Sequence, residues 1–202
     1  MTNWKNFWKY EGKDEYNAKY MKIQFSITRD IEKLINKHHY KTVLDLGCGP
    51  AIIIKELSKK YPTKQFIGYD LSYFIIKENK KVKIKNLKFK VINLDKVLTK
   101  QKFDCVLCLS VLHYFKNPLQ KIKEIMNIVN KRGSLIINYP NKRLLKFEKK
   151  KRENISYWKR RWKYMFQEKN LITFSKIKGL GYECKIIRKK IPYNLYVQII
   201  KT

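Results

Sequence analysis

Val43-Leu44-Asp45-Leu46-Gly47-Cys48-Gly49-Pro50-Ala51-Ile52-Ile53-Ile54 decides how this chain folds. Residues 43–46 read as a short buried strand. Gly47 and Gly49 let the backbone turn sharply and approach a ligand where a Cβ would collide. An amphipathic helix follows: Ile53, Ile54 and Leu57 mark its apolar face, and Lys55, Glu56, Lys59 and Lys60 are polar. The start of that helix offers N–H groups to a polar ligand, and Asp45 adds negative charge just before the turn. A dinucleotide-binding turn competes for this pattern, but its fingerprint is G-x-G-x-x-G and the third glycine position here is Ile52.

Downstream, residues 65–70 form a second strand that ends in Asp70. An acid about 20 residues past a glycine turn sits at the tip of the neighbouring strand, where its carboxylate can accept both hydroxyls of a ribose. The same Asp70 also suits a cap on the helix starting near Leu71-Ser72. Residues 88–93 read as a third strand and 103–109 as a fourth. The fourth runs into Ser110-Val111-Leu112-His113-Tyr114-Phe115 and then Asn117-Pro118. In open α/β sheets ligands sit outside the carboxyl ends of the strands, which places Ser110 and His113 beside the ligand. Histidine is the side chain suited to general-base work near neutral pH. Leu119, Ile122, Met126 and Val129 then fall at helical spacing. Lys131-Arg132-Gly133 reads as the end of that helix, and 134–139 as a fifth strand.

Asp-x-Gly-x-Gly after a hydrophobic strand resembles the first motif of class I S-adenosylmethionine-dependent methyltransferases of the small single-domain kind. The fourth-strand segment resembles the family's FDxV…LHHF.(D/N)P, with Tyr114 in place of the second histidine. The fifth resembles L.PGG.L.I..P, with Lys131-Arg132 in place of Pro-Gly. Ala51 stands where the family usually has a third glycine. The resemblance spans about residues 40–140. It implies an α/β, Rossmann-like, doubly wound sheet of seven mostly parallel strands with an antiparallel last strand. It implies S-adenosylmethionine as cofactor, held around Asp45, Gly47, Cys48, Gly49, Asp70, Leu71, Asn93, Leu94 and Ser110. Asn93 stands where the family often has an acid on the adenine amino group, and Asp95 is the alternative counterpart. His113 takes the catalytic position, as base or positioning group. The N-terminal segment of such enzymes often covers the site, so Tyr16 and Tyr20 are candidate lid residues as well as candidate core residues. Tyr114 joins them on the acceptor side.

The remaining chain is divided around that core: 1–40 a helical cap, 41–140 the donor-binding core, 141–170 a basic aromatic insertion and 171–202 a closing helix and strand pair. Residues 1–20 interleave aromatics with charges, and a helix is expected over 19–37, with Ile23, Ile27, Ile31 and Leu34 on one face. His38 and His39 read as surface histidines. In 141–170, twelve Lys or Arg face three Glu, and Trp158, Trp162 and Met165 fall at helical spacing. Such a segment suits RNA, an anionic membrane surface, an anionic acceptor, or packing on its own protein body. A short helix capped near Thr173 and two strand-like runs, 182–190 and 195–200, close the chain.

At 202 residues the chain is long enough for one full-sized core. No apolar run approaches a membrane span, and no secretory leader pattern opens the sequence. Cys105 and Cys108 are three apart on a strand and so point to opposite faces, which rules out a shared metal. Buried thiols fit a reducing cytoplasm. The net charge of +31 comes from 47 basic residues of which only seven are arginine. Lysine spread along the whole chain fits compositional drift as well as a polyanion-binding surface. Neither an Asn-Pro-Pro-Tyr signature nor a Pro-Cys after the fourth strand is present, which argues against amino methylation of DNA bases and against a cysteine nucleophile on pyrimidine C5. O- or N-methylation of a small anionic metabolite by in-line displacement is the expectation. A tRNA or rRNA acceptor, or a non-enzymatic nucleic-acid-binding module, is the alternative.

Overall fold

A computed structural model describes residues 18–95, 99–140, 172–188 and 194–202; of residues 18–26 it describes the backbone alone. Helix α1 (Ala18–Lys37) leads into β1 (Thr42–Leu46), α2 (Ile52–Lys60), β2 (Gln65–Asp70), α3 (Tyr73–Asn79) and β3 (Leu87–Val91). Then follow β4 (Phe103–Cys108), a single 3₁₀ turn (Leu112–Tyr114), α4 (Pro118–Asn127), β5 (Val129–Pro140), α5 (Phe174–Lys178), β6 (Glu183–Arg188) and β7 (Asn194–Ile200). The strands form one seven-stranded sheet in the order β3-β2-β1-β4-β5-β7-β6. The pairs among β1 to β5 are parallel, while β7 runs antiparallel to both β5 and β6. The order reverses between β1 and β4, and ligands of open α/β sheets gather at such a switch point.

Each face of the sheet carries its own apolar layer. Ile27, Ile31 and Ile35 of α1 pack with Ile53, Ile54 and Leu57 of α2 over one face, while α4 and α5 cover the other with Ile122, Ile125, Met126 and Ile177. Cys105 lies in the first layer and Cys108 in the second, so the two thiols face away from each other as their spacing requires. All four cysteines are unpaired. A buried polar contact ties β5 to the segment before β1: the Tyr40 hydroxyl meets Ser134 Oγ at 2.6 Å, and Gln198 Nε2 donates to the same oxygen at 2.8 Å.

The helix before β5 is shorter than its periodicity suggests. It stops at Asn127, and Gly133 lies inside β5 rather than at a helix end. The register jumps from Phe103↔Val129 to Cys105↔Ser134, so residues 130–133 bulge opposite Asp104. A Cβ on Gly133 would stand 2.7 Å from the Asp104 carbonyl oxygen, which is why glycine is needed there. Arg132 adopts φ +62°, and its N–H donates to the Lys201 carbonyl at 2.7 Å.

Gly47 is the tightest glycine of the site. Its φ is +70°, and a Cβ there would lie 2.4 Å from Val111 Cγ2. Gly47→Ala combines left-handed strain with overpacking, for an expected loss of about 2–4 kcal/mol in unfolding free energy. Gly181 also has positive φ, +85°, but nothing lies within 4 Å of its would-be Cβ. Gly181→Ala is therefore expected to lose only about 1 kcal/mol, and urea melts of the two variants should separate clearly. Equal midpoints would refute the packing argument.

Candidate active site

The turn after β1 is closed from within. The Tyr69 carbonyl accepts both the Gly47 N–H at 2.7 Å and the Cys48 N–H at 3.0 Å, and the Ala51 N–H reaches the Cys48 carbonyl at 2.8 Å. Asp70, at the end of β2, takes the Gly49 N–H on Oδ2 and the Ser72 N–H on Oδ1, each at 2.9 Å. One carboxylate thus ties two adjacent strand tips together. Each of its oxygens has further acceptor capacity for a ligand hydroxyl. Burial pushes its pKa up, and the backbone N–H groups of Ser72, Gly49 and Leu71 partly offset that rise. No side chain caps α2, and its N-cap Ala51 sits at φ +59° where glycine would be unstrained.

Asp45 is the other acid of the site. It is 5% exposed, and no described residue hydrogen-bonds its carboxylate. Burial, with the nearby Asp70 charge, raises its pKa to about 7. A buried carboxylate in this state gains from a cation placed beside it. Cys48 contributes backbone rather than thiol. Its side chain is buried toward β2 and β3, where a Cβ on Gly68 would come within 2.9 Å of Sγ, and burial holds the thiol well above its ordinary pKa.

Two asparagines that sequence reading did not single out hold the site's backbone. Asn79, at the end of α3 and 2% exposed, donates to the Gly49 carbonyl at 2.7 Å and accepts from Lys55 Nζ at 2.7 Å. The glycine turn is therefore gripped from α2 and α3 together. Asn138 of β5, also 2% exposed, does the same for the loop after β4. Its Oδ1 accepts the Ser110 N–H, and its Nδ2 donates to Ser110 Oγ at 3.2 Å. Ser110 sits at φ +59°, and this two-point grip offsets the strain. Neither residue carries a distinctive local signal in the sequence: Asn79 stands among the charged residues 77–81, and Asn138 merely follows an apolar run.

His113 lies in the 3₁₀ turn just past Ser110. Its ring is partly exposed, yet Nε2 is buried without a hydrogen-bond partner among the described residues. Burial lowers its pKa to about 3, so the imidazole is neutral at physiological pH. Tyr114 stacks obliquely against it, ring centroids 4.1 Å apart. Leu71 and Asn93 follow the tips of β2 and β3 and are partly buried. The Asn93 side-chain oxygen accepts the Asp95 N–H at 3.0 Å, so Asn93 rather than Asp95 shapes that loop. Leu94 is buried, and its carbonyl accepts from the buried Lys121 Nζ at 2.9 Å, which pins the loop to α4. The sheet thus brings Asp45, Gly47, Gly49, Asp70, Leu71, Asn93, Ser110 and His113 to the carboxyl ends of β1 to β4. Tyr16 lies outside the described residues. Tyr20 is on α1, and its side chain is outside them too, as are Trp158, Trp162 and the rest of 141–170.

A sheet ordered 3-2-1-4-5-7-6, with a glycine turn after β1 and an acid at the tip of β2, defines a class I methyltransferase fold. The model of the methyltransferase domain family matches residues 37–170, well over half of the chain. The chain belongs to that family, whose class I members use S-adenosylmethionine. Among curated proteins it is 35% identical over 104 residues to the uncharacterized protein RP028 of Rickettsia prowazekii, covering 48% of this chain and 42% of that protein. It is 29% identical over 99 residues to the malonyl-[acyl-carrier protein] O-methyltransferase of Legionella pneumophila, covering 48% and 35%. The chain thus spans less than half the length of the curated relatives it matches. Among solved structures, the plantazolicin methyltransferase BpumL with bound SAH superposes with a TM-score of 0.70 at 16% identity, over 89% of this chain and 84% of that one. Magnesium protoporphyrin IX methyltransferase of Synechocystis PCC 6803 superposes at 0.69 and 15% identity, over 98% of both chains. These two likenesses are of fold.

Proposed function

We propose that this chain transfers a methyl group from S-adenosylmethionine to an oxygen or nitrogen of a small or medium-sized anionic acceptor. The observation that carries the reading is the pair of acids at the switch point. Asp70 already grips the Gly49 N–H, and Asp45 is buried with no described partner beside it. The donor fits this pair chemically: its ribose offers two hydroxyls to Asp70, and its cationic methionine end offers the charge that Asp45 lacks. Bound there, it supplies a methyl on a sulfonium, open to in-line displacement by an aligned lone pair. Leu71, Asn93 and Leu94 would border the adenine, with the Asn93 amide as its polar contact.

His113 is the acceptor-side residue of this proposal. A histidine held near pKa 3 is a weak base at neutral pH, so its role is to accept a hydrogen bond and fix the acceptor. A carboxylate acceptor needs no base at all, since its oxygen is already nucleophilic. Tyr114 would complete that wall, with Tyr16 and Tyr20 above it and the basic 141–170 segment supplying charge for the anion. His113→Ala should lower turnover by about tenfold or more, in keeping with loss of a positioning contact, while donor affinity changes less than about twofold. If donor binding collapses while turnover per bound donor stays normal, the histidine belongs to the cofactor site.

The test is calorimetry with S-adenosylhomocysteine, followed by transfer of labelled methyl from S-adenosylmethionine to a panel of carboxylic and phosphorylated acceptors. An RNA acceptor is the second reading. The +31 charge favours it. So does a 30% identity over 103 residues to the tRNA U34 carboxymethyltransferase of Campylobacter fetus, of which the chain covers 36%. Methyl transfer to bulk tRNA, lost together with RNA binding when Lys159, Arg160 and Arg161 become Ala, would replace the small-acceptor reading.

A further inference from the structure

Among the described residues Lys121 is the one buried lysine, 6% exposed. It stands on the apolar face of α4 with Pro118, Ile122, Ile125 and Met126. Compositional drift puts lysine on solvated faces and does not account for one in the core. Burying an ammonium is costly unless its N–H groups find partners. Here the ammonium donates to the Leu94 carbonyl at 2.9 Å and pairs with the carboxylate of the partly exposed Glu124. It also lies over the Phe115 ring, 5.0 Å from the centroid. An apolar side chain of similar length would fill this place without the desolvation cost, and replacing buried ions in that way is often neutral or stabilising. Stability therefore does not explain Lys121. The two segments it touches do.

Leu94 follows Asn93 in the loop after β3, and Phe115 ends the turn after β4, two residues past His113. Each segment has its other end fixed elsewhere. The Ile92 N–H donates to the Asp70 carbonyl at 2.9 Å. Val111 packs on Gly47, its Cγ2 2.4 Å from where a Cβ on that glycine would stand. Asn93 and His113 thus sit in two short spans, each anchored at one end on the donor-binding strand tips and at the other on the same ammonium. The start of α4 sets that ammonium in place: Asn117 Oδ1 accepts the Gln120 N–H at 3.2 Å, and the Asn117 carbonyl accepts the Lys121 N–H at 3.1 Å.

We propose that Lys121 is a positioning residue that couples the adenine side of the donor site to the acceptor turn. The proposal rests on the methyl-transfer reading of the site. Lys121 acts through Leu94 and Phe115 rather than on a reacting atom. A donor seated against Asn93 steadies the loop after β3, and the ammonium passes that order to the turn that carries His113. The coupling is reciprocal, so an acceptor that orders the turn tightens donor binding by the same factor.

The test follows amide exchange and donor affinity in the full chain. In the parent, saturating S-adenosylhomocysteine should slow exchange at Asp95 and also at Tyr114. Lys121→Met removes the ammonium and keeps the length of the side chain, and it should melt within about 5 °C of the parent. Without ligand, its Asp95, Tyr114 and Phe115 amides should exchange about tenfold faster or more, while those of β1 and β2 keep the parent rate. By calorimetry its affinity for S-adenosylhomocysteine should fall about tenfold, but less than about twofold when Asn93→Ala is already present. Glu124→Gln keeps an oxygen for the ammonium and should behave as the parent. Phe115→Leu cuts only one arm, and it carries the test should Lys121→Met not fold. It should bind the donor product nearly as the parent does, yet the ligand should no longer slow exchange at Tyr114. Slowing at Tyr114 that survives in these variants overturns the proposal. So does a Lys121→Met chain that binds S-adenosylhomocysteine like the parent, or one whose exchange is faster throughout the sheet, which would make Lys121 a stability residue alone. A parent chain that does not bind S-adenosylhomocysteine overturns the donor reading together with this one, and is thereby told apart from a failure at Lys121.

Discussion

Asp70→Ala is expected to weaken S-adenosylhomocysteine binding by about a hundredfold to ten-thousandfold. Two charge-assisted hydrogen bonds to a ribose are each worth about 1.5–3 kcal/mol, and about 1.4 kcal/mol is a factor of ten. The same carboxylate holds the Gly49 and Ser72 N–H groups, so its removal also loosens the turn. Asp70→Asn separates the two effects. It keeps an oxygen for one backbone N–H, so it should unfold near the parent temperature yet bind the donor product far more weakly. Calorimetry on both variants reads the difference, and donor affinity unchanged in Asp70→Ala would remove Asp70 from the cofactor site.

The second large effect is a pH dependence set by Asp45. Its folded pKa of about 7 lies above the ordinary 3.8. The folded chain therefore binds the extra proton between about pH 4 and 7, and its stability falls as pH rises through that window. Three pKa units correspond to about 4 kcal/mol at most. Asp45→Asn, neutral throughout, should flatten the thermal-melt profile from about pH 5 to 7 and be the more stable chain at about pH 7. Donor binding should show the opposite trend in the parent. A cation beside Asp45 favours its ionised form, so affinity for S-adenosylhomocysteine should rise with pH toward about 7, by less than about tenfold per unit, with uptake of the ligand releasing a proton. An Asp45→Asn chain whose melting follows pH as the parent's does would show that another group titrates.

The strand, the glycine turn, the first helix and the two acids were legible because each is a local pattern with a fixed spacing. Gly47, Gly49 and Asp70 stand where that spacing puts them, and the β6–β7 pair closes the sheet as the terminal strand-like runs suggest. What was not legible came from contacts distant in sequence. Asn79 reaches Gly49 across thirty residues, and Asn138 reaches Ser110 across twenty-eight. Neither amide has a local pattern to announce it. The early end of α4 was hidden for another reason. Val129 continues the helical period, but β4 recruits it into β5, and tertiary pairing overrides the local signal. The neutral state of His113 depends on burial, which no spacing encodes.

Strand β7 arrives last in the chain yet sits inside the sheet, between β5 and β6. Until it is in place, β6 has no strand to pair with, and the growing chain can assemble only the five parallel strands. The half that carries the glycine turn and both acids can therefore close on itself without the far side of the sheet, which is completed only once β7 has docked on β5 and offers its other edge to β6. Amide protons of β6 should accordingly never be protected earlier in refolding than those of β7, whereas β1, β2 and β4 can gain protection without either.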